Sequence, residues 1–251
     1  MAESILLISG LEKSFGGLVV TDHVDLDVRS HEVHALIGPN GAGKTSLIAQ
    51  IFGELAPDRG AILWCGDDIT RLPTFERVRR GLARTFQISS VLPELTALEN
   101  VLLAVLSRKS PNPDKWSRVS ANRSATERAF THLERVGLDR RAGVSAAALS
   151  YGERRQLEVA IALALEPRLL LLDEPMAGVG PEETSQLRDL LDGLRRDCAI
   201  LLVEHDMDVV FAIADRVSVL VSGRVIACGP PTTVRDDARV RQAYFGEEDA
   251  W

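Results

Sequence analysis

One run of eight residues constrains this chain more than any other: Gly38-Pro-Asn-Gly-Ala-Gly-Lys44-Thr45. An apolar, strand-like run, Val33-His-Ala-Leu-Ile37, leads into it, and a helical-looking stretch, Ser46-Leu-Ile-Ala-Gln-Ile-Phe52, follows. Strand, glycine-rich turn and helix in that order are the context the P-loop pattern requires. Glycines let the backbone curl so that successive N–H groups converge, and the start of the helix adds its positive pole. Such a cradle suits the phosphates of a nucleoside triphosphate. Lys44 is placed to reach the β and γ phosphates, and the Thr45 hydroxyl to ligate Mg2+. Gly38, Asn40, Gly41, Ala42, Gly43, Lys44, Thr45 and Ser46 are the expected nucleotide-contacting positions.

A second constellation lies far downstream. Leu169–Leu172 reads as a buried strand that ends in Asp173-Glu174. In open α/β sheets, ligands bind at the carboxyl ends of the strands. There Asp173 can hold Mg2+ through water, and Glu174 can polarise an attacking water as general base. Paired acids at a buried strand end are costly without a cation to balance them. His205 follows the next strand, Ala199–Glu204. A histidine between Glu204 and Asp206 would ordinarily be a surface residue, but its place after the acidic pair points to the γ-phosphate. The catalytic candidates are Lys44, Glu174 and His205.

Length and composition narrow the setting. The 251 residues suffice for one large α/β domain or a core with a small subdomain. A net charge of −7 gives no reason to expect nucleic acid as a partner. No apolar run approaches the roughly 20 residues of a membrane-spanning helix. The first residues, Met-Ala-Glu-Ser-Ile-Leu-Leu, read as a strand rather than a secretory signal. Cys65, Cys198 and Cys228 lie far apart with no Cys-x-x-Cys spacing, which argues against zinc or a disulfide framework. A cytoplasmic protein is expected, peripheral if it works at a membrane. The lack of an Asn-Lys-x-Asp run removes a guanine-nucleotide switch.

Residues 5–9 and 18–28 alternate like antiparallel strands, and 61–64 is strand-like. From Leu98 to about Arg141 the pattern is helical, broken by Arg108-Lys-Ser-Pro-Asn-Pro-Asp-Lys115, which reads as a solvated connection. Strands at 169–173, 199–204 and 217–221 then alternate with helices at 181–196 and 207–215, and a short helix spans 238–244. That alternation implies a parallel sheet wrapped by helices.

Further motifs carry a family resemblance: Leu149-Ser-Tyr-Gly-Glu153, Arg84-Thr-Phe-Gln-Ile88 and Lys13-Ser-Phe-Gly-Gly17. With them the chain resembles the nucleotide-binding subunit of an ABC transporter over nearly its whole length. The fold this implies is a P-loop NTPase (RecA-like) α/β core with a mostly parallel sheet, an N-terminal antiparallel β region and an inserted α-helical subdomain. Residues 1–88 and 156–230 would form the catalytic core, 89–155 the helical signature subdomain, and 231–251 a C-terminal tail helix. Leu149–Glu153 resembles the family signature Leu-Ser-Gly-Gly-Gln, with Tyr151 in place of a glycine and Glu153 in place of the glutamine. By that resemblance Ser150 and Gly152 contact the γ-phosphate of ATP held by a partner, and Phe15 stacks on adenine. Gln87 joins Thr45 and Asp173 around Mg2+ and links to the membrane partner. Ile88–Leu95 would receive a short helix of that partner.

The resemblance implies a subunit that binds and hydrolyses ATP with Mg2+, paired head to tail with a second ATP-binding subunit, a copy or a paralogue. The pair would sit peripherally on the cytoplasmic face of two transmembrane permease subunits, supplied by an external solute-binding protein. Gly180 stands where the family's D-loop usually has aspartate. Ala177-Gly-Val-Gly-Pro181 is similar to the Ala-Gly-Leu-Asn-Pro of branched-chain amino acid importers, as are Pro93-Glu-Leu-Thr96 and Ala243-Tyr-Phe-Gly-Glu247. Importers of urea or other amides look similar. A soluble ABC ATPase of the assembly, repair or translation type is a further alternative; long coiled coils, a zinc insertion and a second ATPase domain, usual in such proteins, are missing here. A nucleotide-binding scaffold without turnover is disfavoured by the intact Lys44, Asp173, Glu174 and His205.

Overall fold

In the computed structural model, the described residues are 3–85, 91–109 and 123–245. The N-terminal alternation becomes a long hairpin, β1 (Ser4–Phe15) and β2 (Leu18–Arg29). β1 runs well beyond the alternation at 5–9, because register shifts around Gly10 let pairing with β2 resume beyond it. The phosphate-loop unit follows as β3 (Val33–Ile37) and α1 (Lys44–Phe52), then β4 (Arg59–Trp64), β5 (Asp67–Asp68), α2 (Thr74–Arg79) and β6 (Leu82–Arg84). Three helices come next: α3 (Ala97–Lys109), α4 (Arg123–Arg135) and α5 (Tyr151–Leu163). The chain then alternates through β7 (Leu169–Asp173), α6 (Pro181–Leu194), β8 (Ala199–Val203), α7 (Met207–Ile213), β9 (Arg216–Val221) and β10 (Arg224–Gly229). Helices α8 (Pro231–Asp236) and α9 (Ala238–Phe245) end the described part. None of these helices is long and apolar enough to cross a membrane.

The strands make two sheets. An antiparallel sheet has the order β2-β1-β4-β5, and a six-stranded sheet the order β10-β9-β3-β8-β7-β6. The latter is parallel from β9 to β6, with β10 as an antiparallel edge. Every residue of β3, β7 and β8 is buried. The four successive leucines of β7 have a physical reason: Leu169 and Leu171 face one apolar cluster with β1 and α1, and Leu170 and Leu172 face another with α3, α4 and α5. A strand covered on both faces is apolar at every position rather than at alternate ones.

Helix α1 ends at Gly53 (φ 87). The carbonyls left at that end are met by the buried guanidinium of Arg77, which donates to Gln50 O at 2.8 Å and Ile51 O at 2.7 Å. Its other donors reach Leu72 O and Thr70 O, both at 2.9 Å. Burial pulls the Arg77 pKa down to about 10, which leaves it charged at neutral pH. A cation at a helix C-terminus complements the helix dipole.

Candidate active site

β3 lies between β8 and β9 in parallel register, so its loop emerges at the carboxyl edge of the sheet. The loop is wedged tightly. A Cβ on Gly43 would stand 2.2 Å from Val20 O, and one on Gly38 2.1 Å from Leu220 O. Gly43 caps α1 with a left-handed φ of 104° and provides no side-chain acceptor for the first helical N–H groups. Gly223 N, in the β9–β10 turn, pins the loop by donating to Ala42 O at 2.9 Å. Lys44 Nζ donates to Gly38 O at 2.6 Å and Pro39 O at 3.2 Å. Burial lowers its pKa, against the opposing pull of the Glu174 and Asp173 carboxylates. Lysine and both acids therefore share one local field.

Asp173 pairs in register with Val203, so the chain beyond β7 and beyond β8 leaves on the same edge. Asp173 is buried, and Arg84 Nη2 donates to its Oδ2 at 3.0 Å. Burial raises the Asp173 pKa, and Arg84 opposes that rise. Its Oδ1 is buried with no hydrogen-bond partner. An uncompensated carboxylate lone pair at a buried strand end is the environment a hydrated divalent cation fits. Glu174 sits at φ 50, unusual for a residue with a side chain, and its N–H donates to Val203 O at 2.9 Å. The His205 side chain, 62 % exposed, follows β8, the parallel neighbour of β7.

Phe15 ends β1 with 53 % of its surface exposed. Lys13 Nζ stands 5.5 Å from its ring centroid and bonds Asp58 at 2.7 Å. Val20, on the paired strand, touches Gly43, so the open aromatic face is carried on the same hairpin that braces the phosphate loop. Gln87 lies outside the described residues.

Ser150 and Gly152 belong to a different surface. Ser150 caps α5: its Oγ accepts from Glu153 N at 3.2 Å, and Glu153 Oε2 accepts from Ser150 N at 2.8 Å. Arg141 Nε donates to Glu153 Oε1 at 2.8 Å, and this pairing holds the Glu153 carboxyl below its usual range. Ser150, Glu153, Arg141, Glu182 and Glu183 line an open cleft of about 900 Å³ to which no phosphate-loop residue contributes. The lead-in to α5 is bonded to the turn before α3: Ala147 N and Ser145 Oγ donate to Pro93 O at 3.1 and 2.8 Å, and Ala146 N to Leu95 O at 2.9 Å.

Two residues at the site escaped the sequence reading. Arg84 was visible only as part of the run that leads to Gln87. Glu204, buried at the exit of β8, accepts from Met176 N at 2.9 Å and so ties two loops together. Its burial could have been suspected only from its place between an apolar strand and His205.

Residues 21–177 match the ABC transporter family. The chain belongs to that family. It is an ATP-hydrolysing cassette of the P-loop NTPase fold. Residues 224–250 also match the branched-chain amino acid ATP-binding cassette transporter family. The cassette is 40% identical over 256 residues to the high-affinity branched-chain amino acid transport ATP-binding protein BraF of Pseudomonas aeruginosa, covering 98% of this chain and 100% of the relative. It is 36% identical to the lipopolysaccharide export system ATP-binding protein LptB of Haemophilus influenzae, with 98% of each covered. A solved cassette in its ADP conformation, MJ1267, matches with a TM-score of 0.87 and 31% identity over 98% of this chain and 100% of that one.

Proposed function

We propose that this cassette is the ATP-hydrolysing subunit of an importer for branched-chain or related amino acids. The observation that carries the choice of solute class is the match of residues 224–250, outside the general cassette region. The cassette would work peripherally at the cytoplasmic face of two permease subunits, as a pair with a second ATP-binding subunit.

In this reading the phosphates enter the ring of N–H groups from Asn40 to Ser46 and the dipole of α1. Lys44 turns from the loop carbonyls to the β and γ phosphates, while Phe15 offers its open face to adenine. Thr45, Asp173 and Gln87 would hold Mg2+, which neutralises phosphate charge; the unpartnered Asp173 Oδ1 and the polar start of α1 suit it. Glu174 takes a proton from the attacking water, and His205 donates to the γ-phosphate. Ser150 and Gly152 complete the site of the partner cassette. Leu92, 46 % exposed, stands on a turn clamped by Asn100, which accepts from Leu92 N at 2.8 Å and donates to Leu92 O at 3.0 Å. That turn is bonded through Pro93 and Leu95 to the lead-in of the signature. Movement of a permease helix against Leu92 would thus be passed to Ser150. Ile88–Ser90, the start of this coupling segment, lies outside the described residues.

The test is uptake of labelled leucine by the source cells. Deleting the gene should abolish high-affinity uptake, the wild-type gene should restore it, and a Glu174→Gln gene should not. The likeness to LptB supports a second reading, lipopolysaccharide export. Normal leucine uptake with lipopolysaccharide missing from the cell surface would select that one.

A further inference from the structure

The segment that leaves Glu174 has Gly180 where the family's D-loop usually has aspartate, so no carboxylate at that position reaches a partner. It is held instead within its own chain, from two sides. On one side is Glu204, 1% exposed. Its Oε1 accepts from Met176 N at 2.9 Å and its Oε2 from His205 N at 3.1 Å. One carboxylate therefore joins the backbone just after Glu174 to the backbone of His205. A buried carboxylate is costly to place unless both oxygens are bonded, and here both are.

On the other side is Tyr151, the residue that replaces a signature glycine. Its ring lies against Gly178 (φ +72), where a Cβ would stand 3.3 Å from Cε1 and 3.6 Å from Cζ. The ring is itself fixed. Arg155 Nη2 donates to the Tyr151 hydroxyl at 2.8 Å, with the guanidinium carbon 5.2 Å from the ring centroid. Arg155 Nη1 in turn donates to the buried Glu158 at 2.9 Å. Beside Tyr151, a Cβ on Gly152 would stand 3.2 Å from Cγ of Glu183 on α6. The signature turn is thus packed on the segment between β7 and α6.

We propose that Glu204 and Tyr151 are positioning residues that make the Met176–Gly178 turn a junction, within one chain, between the hydrolytic edge and the signature turn. The proposal rests on the reading of those two places as halves of composite ATP sites. A shift of Glu174 or His205 on hydrolysis would then move the same chain's Ser150 away from the ATP it serves in the partner. The two sites of a pair would communicate through each chain rather than through an aspartate between chains.

Amide hydrogen exchange on the nucleotide-free single chain tests this directly. Tyr151→Gly and Glu204→Gln should each speed exchange at Met176, Ala177 and Val179 about tenfold, with the α1 amides unchanged as a control for folding. Glu204→Gln leaves one acceptor oxygen and sets an amide NH2, a donor, against the other N–H. Tyr151→Phe keeps the ring over Gly178 and should keep wild-type protection. In steady-state hydrolysis Tyr151→Gly should lower kcat about tenfold. Wild-type exchange at 176–179 in Tyr151→Gly would overturn the junction. So would equal loss of protection in Tyr151→Phe and Tyr151→Gly, or wild-type kcat in Tyr151→Gly. Should Glu204→Gln lose protection throughout the chain, the Tyr151 variants decide. Exchange needs neither ATP nor a partner, so failure of ATP-driven pairing would count against the composite site alone.

Discussion

At the start of α1 the cap is Gly43, left-handed and without a side-chain acceptor. At the start of α5 the cap is Ser150, closed into a reciprocal pair with Glu153 and backed by Arg141. Both helix ends are assigned to phosphate, yet only the second has a side-chain acceptor for one of its opening N–H groups. The difference follows from what each end must do when no nucleotide is near. The α1 end is shaped by backbone crowding, with Val20 O and Leu220 O against its glycines, and needs no side-chain cap to keep its form. The α5 end stands beside an open cleft, and its own side chains stabilise it.

The sharpest way to break this comparison is to remove one function from the α1 edge at a time. Glu174→Gln should lower ATP turnover about 10²- to 10⁴-fold while nucleotide still binds. It should also trap an ATP-dependent dimer, read by light scattering. Lys44→Ala should lose binding as well as turnover. Wild-type hydrolysis by Glu174→Gln would remove the base assignment, and a monomer at every ATP concentration would remove the role of Ser150, unless a paralogue is the required partner.

Leu92→Glu probes the α5 side. A carboxylate buried without a partner at a permease interface costs several kcal/mol. Copurification with the membrane subunits should fall sharply, with basal hydrolysis by the isolated cassette largely kept. Normal assembly and transport by this variant would end the coupling role of the turn.

The strand that feeds the α1 edge has its own titration. His34, buried in β3, bonds Ser218 Oγ at 2.8 Å. Burial first, and the Arg216 charge second, push its pKa from 6.5 to about 3. Below about pH 6.5 the unfolded chain binds a proton that the folded chain refuses until about pH 3. Stability from this group is therefore full above pH 6.5 and falls with acidification by up to about 1.4 kcal/mol per pH unit. Urea midpoints at pH 7 and pH 5 should differ more for wild type than for His34→Gln; equal differences would refute the assignment.

The smallest effect concerns the caps themselves. Ser150→Ala should cost about 1 kcal/mol in urea denaturation, and Ser150→Thr much less. An Ala variant as stable as wild type would mean that the Glu153–Arg141 pair alone holds the α5 end.

The α1 edge was legible in sequence because its chemistry is local. Gly38–Thr45, Asp173-Glu174 and the strands that carry them are contiguous runs whose order already predicts a shared sheet edge. The missed elements are short or weakly patterned. β6 has three residues, and β10 is an edge strand of mixed burial, so neither offers a clear period. The missed residues act over long separations: Arg84 meets Asp173, and Glu204 meets Met176, only after the parallel sheet forms. Nothing in a linear run signals a carboxylate that bonds backbone elsewhere.

Arg77 spends its donors on four backbone carbonyls at the far end of α1. A cassette empties and refills its phosphate site in every cycle, so negative charge visits one end of that helix only part of the time. The counter-charge at the other end is permanent, because it is buried and bonded to the fold itself. The helix thus keeps its register while its load comes and goes, and each new nucleotide meets a receptor already set rather than one that must refold around it.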